Sequence, residues 1–448
     1  MIIIGPWPAP NGSYVGSGYQ AATLHRLTTV PPATATGPLE AGFAQLDITP
    51  PVGHQLAGFN RRGFHYQAVD TPCLARALTL RCAELAGSTA DAAINNELTV
   101  TILSADLLMI NRKLAQAVLS RTGLRDGDIY FTASHTHSGP GQWGDHPLET
   151  LIAGDYDQAY FDILVSQLAQ VVTQSRQALA PAEVGVVTMS EPGGLINRID
   201  RALGTHDQLS AVVVRHADAP ARPPIAVLVT FGAHATVVDG DPATLSADYP
   251  GALEAALGAA LHSPVMFAAG AVGDVSPARL PAGSPIDSAR KLGDMLADDL
   301  AALIPQATLQ RSITLSNQHL AVDLPAMRFP IGAHWRLSPL ATFWIGDTRT
   351  HLHLLRIGPA VLVGFPGDVA GHLATTLADR VRDSGLTLIA TSFNGDYKGY
   401  FVSQEVFMRY SAYETREVNF FGPWSGEYLN DLAARMISRT AIATQPVR

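Results

Sequence analysis

The sequence predicts an α/β protein in which mixed β-sheets are flanked by α-helices. Apolar runs typical of buried strands alternate with amphipathic segments, most clearly between residues 98 and 179. Two further apolar runs, 210–218 and 224–234, follow each other closely enough to form a hairpin. Alternating strands and helices favour parallel pairing, whereas a hairpin pairs antiparallel, so the sheets are expected to be mixed.

The period of the apolar residues places the remaining elements in order. Strands are predicted at 98–106, 129–133, 183–189, 265–271 and 311–322, followed by a β-pair formed by 351–358 and 360–368. Helices are predicted at 108–121, 157–179, 285–304 and 426–438, with two more that begin near Tyr249 and Val369. These elements account for most of the chain beyond residue 97.

The first 40 residues differ from the rest of the sequence. They are rich in Pro, Gly, Thr and Ala and have no clear period, which predicts an extended arm that lies on the domain. Residues 41–448 contain no charged, Ser-rich or low-complexity linker and are interpreted as a single domain. Met1 is followed by IIIGPWPAPNG, which lacks the features of a secretory signal, so a cytoplasmic protein is expected.

Composition argues against several classes of partner. The net charge is −9 and the basic residues form no cluster, which disfavours nucleic acid. No stretch approaches the roughly 18 apolar residues of a transmembrane helix. Cys73 and Cys82 fall in one predicted strand and are interpreted as small buried residues rather than a disulfide or metal pair. The expected partner is a small molecule.

Two histidines follow directly on a predicted buried strand. In FTASHTHSGPG, the strand 129–133 leads to His135 and His137 and then to a Gly/Pro turn. If the strand continued to Ser138, its period of two would place both imidazoles on one face. Neutral imidazole is a good zinc donor, and two ligands on one segment lose little entropy on binding. The spacing by itself fits either a metal half-site or a pair of core histidines.

Polar residues also stand at the ends of three other apolar runs. His234 ends the second arm of the hairpin, Ser276 lies in a Gly/Pro-bounded turn, and Asp368 ends the run 360–368. Each has an ordinary interpretation, as a strand-end histidine, a turn serine and a helix N-cap. Asp248 is expected to cap the following helix or to support the site from outside.

Taken together, these segments resemble the neutral/alkaline (non-lysosomal) ceramidase family, zinc-dependent enzymes that cleave the amide of an N-acyl sphingosine. The resemblance covers about residues 41–425. Its motifs are DITPP at 47–51, SHTHSGPG at 134–141, GDVSP at 273–277, PGD at 366–368 and the tyrosine-rich segment 394–423. It implies a ceramidase-like catalytic domain, without the family's C-terminal β-domain.

The resemblance implies a zinc site and a catalytic serine. His135, His234, Asp368 and Tyr400 take the positions of the metal ligands, and Ser276 takes that of the serine. The family has a glutamate where this chain has Asp368, so the side chain is shorter by one methylene. From the residues alone, Ser276 is either a nucleophile that needs activation or a hydrogen-bonding partner of the scissile group.

Three more residues are implied to lie near the metal. Arg198, in an Asn-Arg pair, would bind a substrate oxyanion or hydroxyl, and Tyr413 would polarise the carbonyl. His137 would act as an outer-shell acid/base that protonates the leaving amine. Without the resemblance, Arg198 fits a surface salt bridge equally well, and tyrosines are most often packing residues. One residue more than in the family separates Tyr400 from Tyr413, which shifts the register.

The expected activity is zinc-dependent hydrolysis of an N-acyl amide by metal-activated water, with Ser276 as the catalytic serine. Ceramide itself is a less favoured substrate, because no membrane-docking stretch is evident beyond IIIGPWP. A zinc- and serine-dependent acyl transferase or cyclase of a biosynthetic pathway is the first alternative. The second is a non-catalytic protein that retains a metal site.

Overall fold

The computed structural model describes residues 5–58, 64–83, 97–238, 243–278, 280–340 and 347–442. The helices are α1 (Gly18–Thr29), α2 (Arg112–Thr122), α3 (Pro147–Ala153), α4 (Gln158–Gln177), α5 (Asp248–Leu261), α6 (Pro285–Leu303), α7 (Gly371–Val381), α8 (Gln404–Arg409) and α9 (Ser425–Ile442). The first strands are β1 (Trp7–Pro8), β2 (Ala33–Asp47), β3 (Ala68–Val69), β4 (Leu74–Ala83), β5 (Glu97–Ala105), β6 (Ile129–Ala133), β7 (Ala180–Ser190), β8 (Leu195–Asn197), β9 (Gln208–His216) and β10 (Ala226–Phe231). The remaining strands are β11 (Thr244–Leu245), β12 (Val265–Ala269), β13 (Val275–Pro277), β14 (Ser312–Asp323), β15 (Pro330–Ile331), β16 (Trp335–Arg336), β17 (Arg349–Ile357), β18 (Ala360–Gly364), β19 (Asp368–Val369), β20 (Thr387–Thr391) and β21 (Tyr400–Phe401).

Twelve of the strands belong to one large sheet. Its main path is β12-β10-β9-β7-β2-β14-β17-β18-β20, and β4, β5 and β6 extend from β2 in a branch. The branch arises because the first part of β2 pairs with β14 and its second part with β4 and β7. The pairs β5–β6, β10–β12 and β18–β20 are parallel, and the other pairs are antiparallel. The predicted mixed sheet with flanking helices is confirmed.

The core consists of layers. One buried cluster contains strand residues almost alone, including Leu80, Val212 and Leu362, so two parts of the sheet pack face to face. A second cluster joins the sheet to α2, α4, α5 and α6, and a third joins it to α1, α7 and α9. Helices therefore cover the outer faces of both parts. Loops that follow the strands carry the polar residues of interest, and some of their apolar residues, such as Ala235 and Phe393, pack in the second cluster.

The predicted extended arm at 1–40 is wrong for most of its length. Residues 18–29 form α1, whose N-cap Ser17 accepts a hydrogen bond from the Gln20 backbone and whose Leu27 is buried in the third cluster. Residue 40 falls inside β2, so the proposed boundary lies within a strand of the main sheet. The composition of this segment therefore did not predict the capped helix or the strand that it contains. Residues 1–4 lie outside the described residues.

Other expectations agree closely with the structure. The hairpin of β9 and β10 and the β-pair of β17 and β18 are both antiparallel, and β6 spans the predicted residues 129–133. Cys73 and Cys82 are buried free thiols, as predicted. Helix α2 begins later than expected, because Asn111 caps it by accepting a hydrogen bond from the Leu114 backbone. None of the helices in the described ranges has the length and apolarity needed to cross a bilayer.

A buried ion triad joins β4 to the end of β5 and to α5. The Arg76 guanidinium lies 3.0 Å from Asp106 and 2.7 Å from Glu254, and all three side chains are buried. Asp106 also accepts a hydrogen bond from the Leu74 backbone. The triad thus fixes the chain where it enters the segment that supports His135.

Replacing Arg76 by Ala should lower the free energy of unfolding by about 3–5 kcal/mol, because two buried carboxylates lose their cation. Arg81, on the same strand, pairs with Glu40 but is 34 % exposed, so Arg81→Ala should cost less than about 1 kcal/mol. Urea denaturation followed by circular dichroism compares the two variants. Equal small losses would show that the triad does not stabilise the fold.

Candidate metal centre

Two neighbouring loops carry three histidines. The strand β6 ends at Ala133 and does not continue to Ser138: His135 has a left-handed backbone, with φ of +62°, and turns the chain. His234 lies three residues beyond the end of β10. Thr136 forms a β-bridge with Ala235, and the His137 N–H donates to the Ala235 carbonyl at 3.1 Å. These backbone contacts clamp the two loops together.

The three imidazoles converge on one point. Each of His135, His137 and His234 offers a ring nitrogen, and these atoms lie within 4.8 Å of one another. The Nδ1 atoms of His135 and His234 bond to the Leu108 and Val272 carbonyls, both at 2.7 Å. A neutral imidazole has a single N–H, so the Nε2 atoms of His135 and His234 present lone pairs to the centre.

Burial keeps these two imidazoles neutral. It lowers the pKa of His135 to about 3 and that of His234 well below its usual range. The Asp368 carboxylate lies 3.6 Å from His135 Nε2 and 3.3 Å from His234 Nε2. These contacts therefore join a carboxylate to neutral rings and are not ion pairs.

Asp368 and Tyr400 reach the same point from paired strands. They lie opposite each other in the parallel pair β19–β21, and the Tyr400 hydroxyl is 3.1 Å from His234 Nε2. Burial raises the pKa of the Asp368 carboxyl, although the hydroxyls of Tyr397 and Tyr400 hydrogen-bond to it. The alternative role as a helix cap is wrong, because the N-cap of α7 is Ala370.

This donor set fits a divalent metal ion. Two imidazole nitrogens, a buried carboxylate and a phenol oxygen face one another, and each has a lone pair that it could give to a cation between them. Imidazole nitrogen and carboxylate oxygen are common ligands of zinc. His135, His137 and His234 form the one group of three such ligand side chains found within the described ranges. A metal ion of this kind can therefore bind here.

Arg198 is part of the centre and not a surface ion pair. Its guanidinium donates to the Tyr400 hydroxyl at 3.0 Å and to the Gly273 carbonyl at 3.1 Å, and its Nε lies 2.5 Å from a Glu414 carboxylate oxygen. Glu414 is buried, so it holds the guanidinium in place. Glu414 lies in the tyrosine-rich segment 394–423, but no role was predicted for it.

Ser276 and Tyr413 line the same cavity as the donors. The cavity measures about 490 Å³ and is bordered by His135, His137 and Arg198 among others. Ser276 lies in the short strand β13, which pairs with β8, and not in the tight turn that was expected. Tyr413 is 53 % exposed, and its ring meets the edge of the Tyr400 ring at 5.9 Å between centroids.

Two residues that support the site, Phe393 and Asp274, were not predicted from the sequence. Phe393 stacks on the His135 ring at 4.0 Å and shares its left-handed backbone, with φ of +62°. No local sequence pattern indicated this role for Phe393.

Asp248 was predicted to cap a helix or to support the site. Its carboxylate accepts hydrogen bonds from the Val238 and Tyr249 backbones and so stabilises the chain that follows His234.

Asp274 is the other missed residue, although it stands inside the GDVSP motif. Its fully buried carboxylate accepts hydrogen bonds from the Gly371 backbone at 2.6 Å, His372 at 3.0 Å and Asn197 at 3.1 Å. Its backbone carbonyl accepts from the Arg198 N–H at 2.9 Å. One side chain thus connects the loops of Arg198, Ser276 and Asp368.

Asp274→Ala should lower the free energy of unfolding by at least about 3 kcal/mol, because three donors lose a buried acceptor. Asp218→Ala is the control: that side chain is 75 % exposed, and its removal should change stability by less than about 0.5 kcal/mol. Denaturant titration of both variants measures the difference. An unchanged unfolding midpoint for Asp274→Ala would contradict the connecting role.

Comparison with known structures relates this arrangement to one fold. No family model matches the sequence. The neutral ceramidase from Pseudomonas aeruginosa superimposes with a TM-score of 0.74 at 18 % identity, over 92 % of this chain and 76 % of that one. A second structure, a ceramidase complexed with C2, gives a TM-score of 0.75 at 17 % identity with the same coverage. The chain therefore has the fold of the neutral ceramidases, as the resemblance of its motifs predicted.

Proposed function

We propose that this protein is a zinc-dependent hydrolase that cleaves an N-acyl amide bond. The observation that carries the proposal is the buried convergence of imidazole, carboxylate and phenol donors at a cavity. The shared fold supports an amide substrate, since the similar structures are ceramidases. Ceramide itself is not required by any of these observations.

The proposed ligands are His135, His234, Asp368 and Tyr400. Both histidines have their Nδ1 atoms held by backbone carbonyls, the usual way in which a metal-binding imidazole is oriented. Asp368 is shorter than the glutamate of the resembling family, yet its oxygen lies as near as 3.3 Å to His234 Nε2. A zinc ion bound here would polarise the amide carbonyl and lower the pKa of a water molecule.

The other cavity residues would act on the substrate. Arg198 and Tyr413 would donate hydrogen bonds to the carbonyl oxygen as negative charge develops on it. His137 Nε2 lies 3.2 Å from His135 Nε2, close enough to carry a proton to the leaving amine nitrogen. No base among the described residues is hydrogen-bonded to Ser276, and a serine nucleophile needs one. We therefore assign Ser276 to hydrogen bonding with the group next to the scissile bond.

His135→Ala should abolish both zinc content and amide hydrolysis, because it removes a ligand that burial holds in place. His137→Ala should keep zinc at full stoichiometry and lose turnover by at least about 100-fold, the usual contribution of an acid/base group. His25 is exposed on α1, and His25→Ala should retain both properties. Metal analysis and a panel of N-acyl amides measure the outcomes.

The three histidine variants separate the possible assignments. Retention of full zinc by His135→Ala would refute the proposed centre. Loss of zinc from His137→Ala would move that residue into the ligand set, which its position also permits. Zinc bound at full stoichiometry with no amide cleaved by the wild type would favour a metal-binding protein without catalysis.

Ser276→Ala should retain zinc and lose about 100-fold in kcat, the usual cost of removing one hydrogen bond made in the transition state. A chain that uses metal-activated water should show no burst of product and no acyl group on Ser276 by mass spectrometry. A covalent acyl adduct at this residue would instead support an acyl transferase or cyclase. Single-turnover kinetics on the wild type distinguishes the two.

A further inference from the structure

Three arginines lie beside the N-terminal segment of the chain. Arg328 precedes β15, Arg336 ends β16, and Arg416 belongs to the segment between α8 and α9. The guanidinium carbons of Arg328 and Arg416 lie 5.1 Å and 4.7 Å from the centre of the Phe407 ring, and both side chains are buried. None of the three lines the metal cavity, so they form a separate group, the arginine cluster.

The pairing of β15 with β16 brings Arg336 to Arg328. Pro330 lies opposite Arg336 in this antiparallel pair, and the Leu337 N–H donates to the Phe329 carbonyl at 3.0 Å, which continues the pairing toward residue 328. Side chains alternate along an extended chain, so Arg328 and Arg336 project from the same face of the pair as diagonal neighbours.

Several N–H groups of the cluster have no acceptor. Arg328 Nη1 donates to the Pro10 carbonyl at 3.3 Å and to the Asn11 side chain at 3.0 Å. Its Nε and Nη2 atoms, which form one edge of the guanidinium, are buried without a hydrogen-bond acceptor among the described residues. The same holds for the Nε atoms of Arg336 and Arg416. A free guanidinium edge is the group that binds two oxygen atoms of one anion.

The positive charge of the cluster is not balanced. None of its three arginines forms an ion pair with a carboxylate of the described residues. Glu417 acts on the charge of Arg416 from a distance, without forming an ion pair. Burial and the charges of Arg336 and Arg416 lower the pKa of Arg328 to about 10. A buried cation is unfavourable without a counter-charge, so an anion at this place would stabilise the fold.

We propose that the arginine cluster binds one tetrahedral dianion, phosphate or sulfate. Two oxygens would fill the free edge of Arg328, and the others would accept from the Nε atoms of Arg336 and Arg416. A carboxylate has one charge and two oxygens, and chloride is a single atom, so neither can serve three guanidinium groups.

The burial of the cluster selects the source of the anion. Arg328 is 2 % exposed, so the ligand is a small ion from solution and not a phosphate at a bilayer surface. Bound there, it would join the N-terminal segment, the β15–β16 pair and the segment 410–423. The proposal does not depend on amide hydrolysis, and its test needs no substrate.

Thermal unfolding and calorimetric titration of the full chain near neutral pH measure the ion. Exchange of sodium chloride for phosphate or sulfate at constant ionic strength should raise Tm, and titration with inorganic phosphate should saturate at one ion per chain. Sodium acetate should not bind. Because phosphate and sulfate also stabilise proteins through exclusion from their surface, the increase that counts is the part that saturates and that the variants lose.

Two variants and a control locate the ion. Arg336→Gln removes a partly exposed guanidinium, so the chain should fold and bind phosphate at least about tenfold more weakly, as expected for a lost hydrogen bond to a charged group. Arg328→Met keeps the length of the side chain without its charge and should lose saturable binding altogether. Arg409 is 64 % exposed and lies 4.0 Å from Glu405, and Arg409→Gln should keep the wild-type affinity.

The outcomes decide the proposal in either direction. Phosphate affinity unchanged in Arg336→Gln and Arg328→Met would place the ion elsewhere, for example at the metal centre, and overturn the site. An equal loss in Arg409→Gln would show a general effect of charge and overturn it as well. Acetate bound as tightly as phosphate would refute the assignment to a dianion. If Arg328→Met does not fold, Arg336→Gln and the control still give the answer.

Discussion

Backbone hydrogen bonds between loops determine where the polar side chains of this protein lie. The His137 N–H donates to Ala235, the His234 N–H to Val275, and the Gly273 N–H to Val369. Each bond joins the loop after one strand of the sheet to a loop that is distant in sequence. The donor side chains therefore converge because their main chains are fixed, and they do not have to attract one another.

Because the main chains are fixed, the donor side chains can lie close together without attracting one another. Imidazole lone pairs and a carboxylate do not attract one another, so they would tend to separate if they were carried by loose loops. The contacts they do make are with the Tyr400 hydroxyl, 3.1 Å from His234 Nε2, and with Arg198, which donates to that hydroxyl at 3.0 Å. Here the buried Asp274 and the ion triad of Arg76 hold the surrounding chain from outside the donor set. A cation could therefore bind between the donors without a change in the main chain, which is typical of pre-organised metal sites.

The same fold is found at 18 % sequence identity, which fits a structure in which the main chain, and not most of the side chains, positions the donors. Layers of sheet and helix need apolar residues of suitable volume at the right period, and many sequences satisfy that requirement. The donors need only a few side chains at strand ends, so most of the remaining sequence can change without altering their geometry.

The sequence by itself determined the strands that precede the functional loops, because a buried strand followed by a polar turn leaves a local signal at β6, β10 and β18. Its motifs also indicated His135, His234, Asp368 and Tyr400, all of which meet in space. Only the tertiary structure decided the left-handed turn at His135, the stacking of Phe393 and the three bonds to Asp274. These features depend on contacts between residues far apart in the chain, and no local period or composition records such contacts.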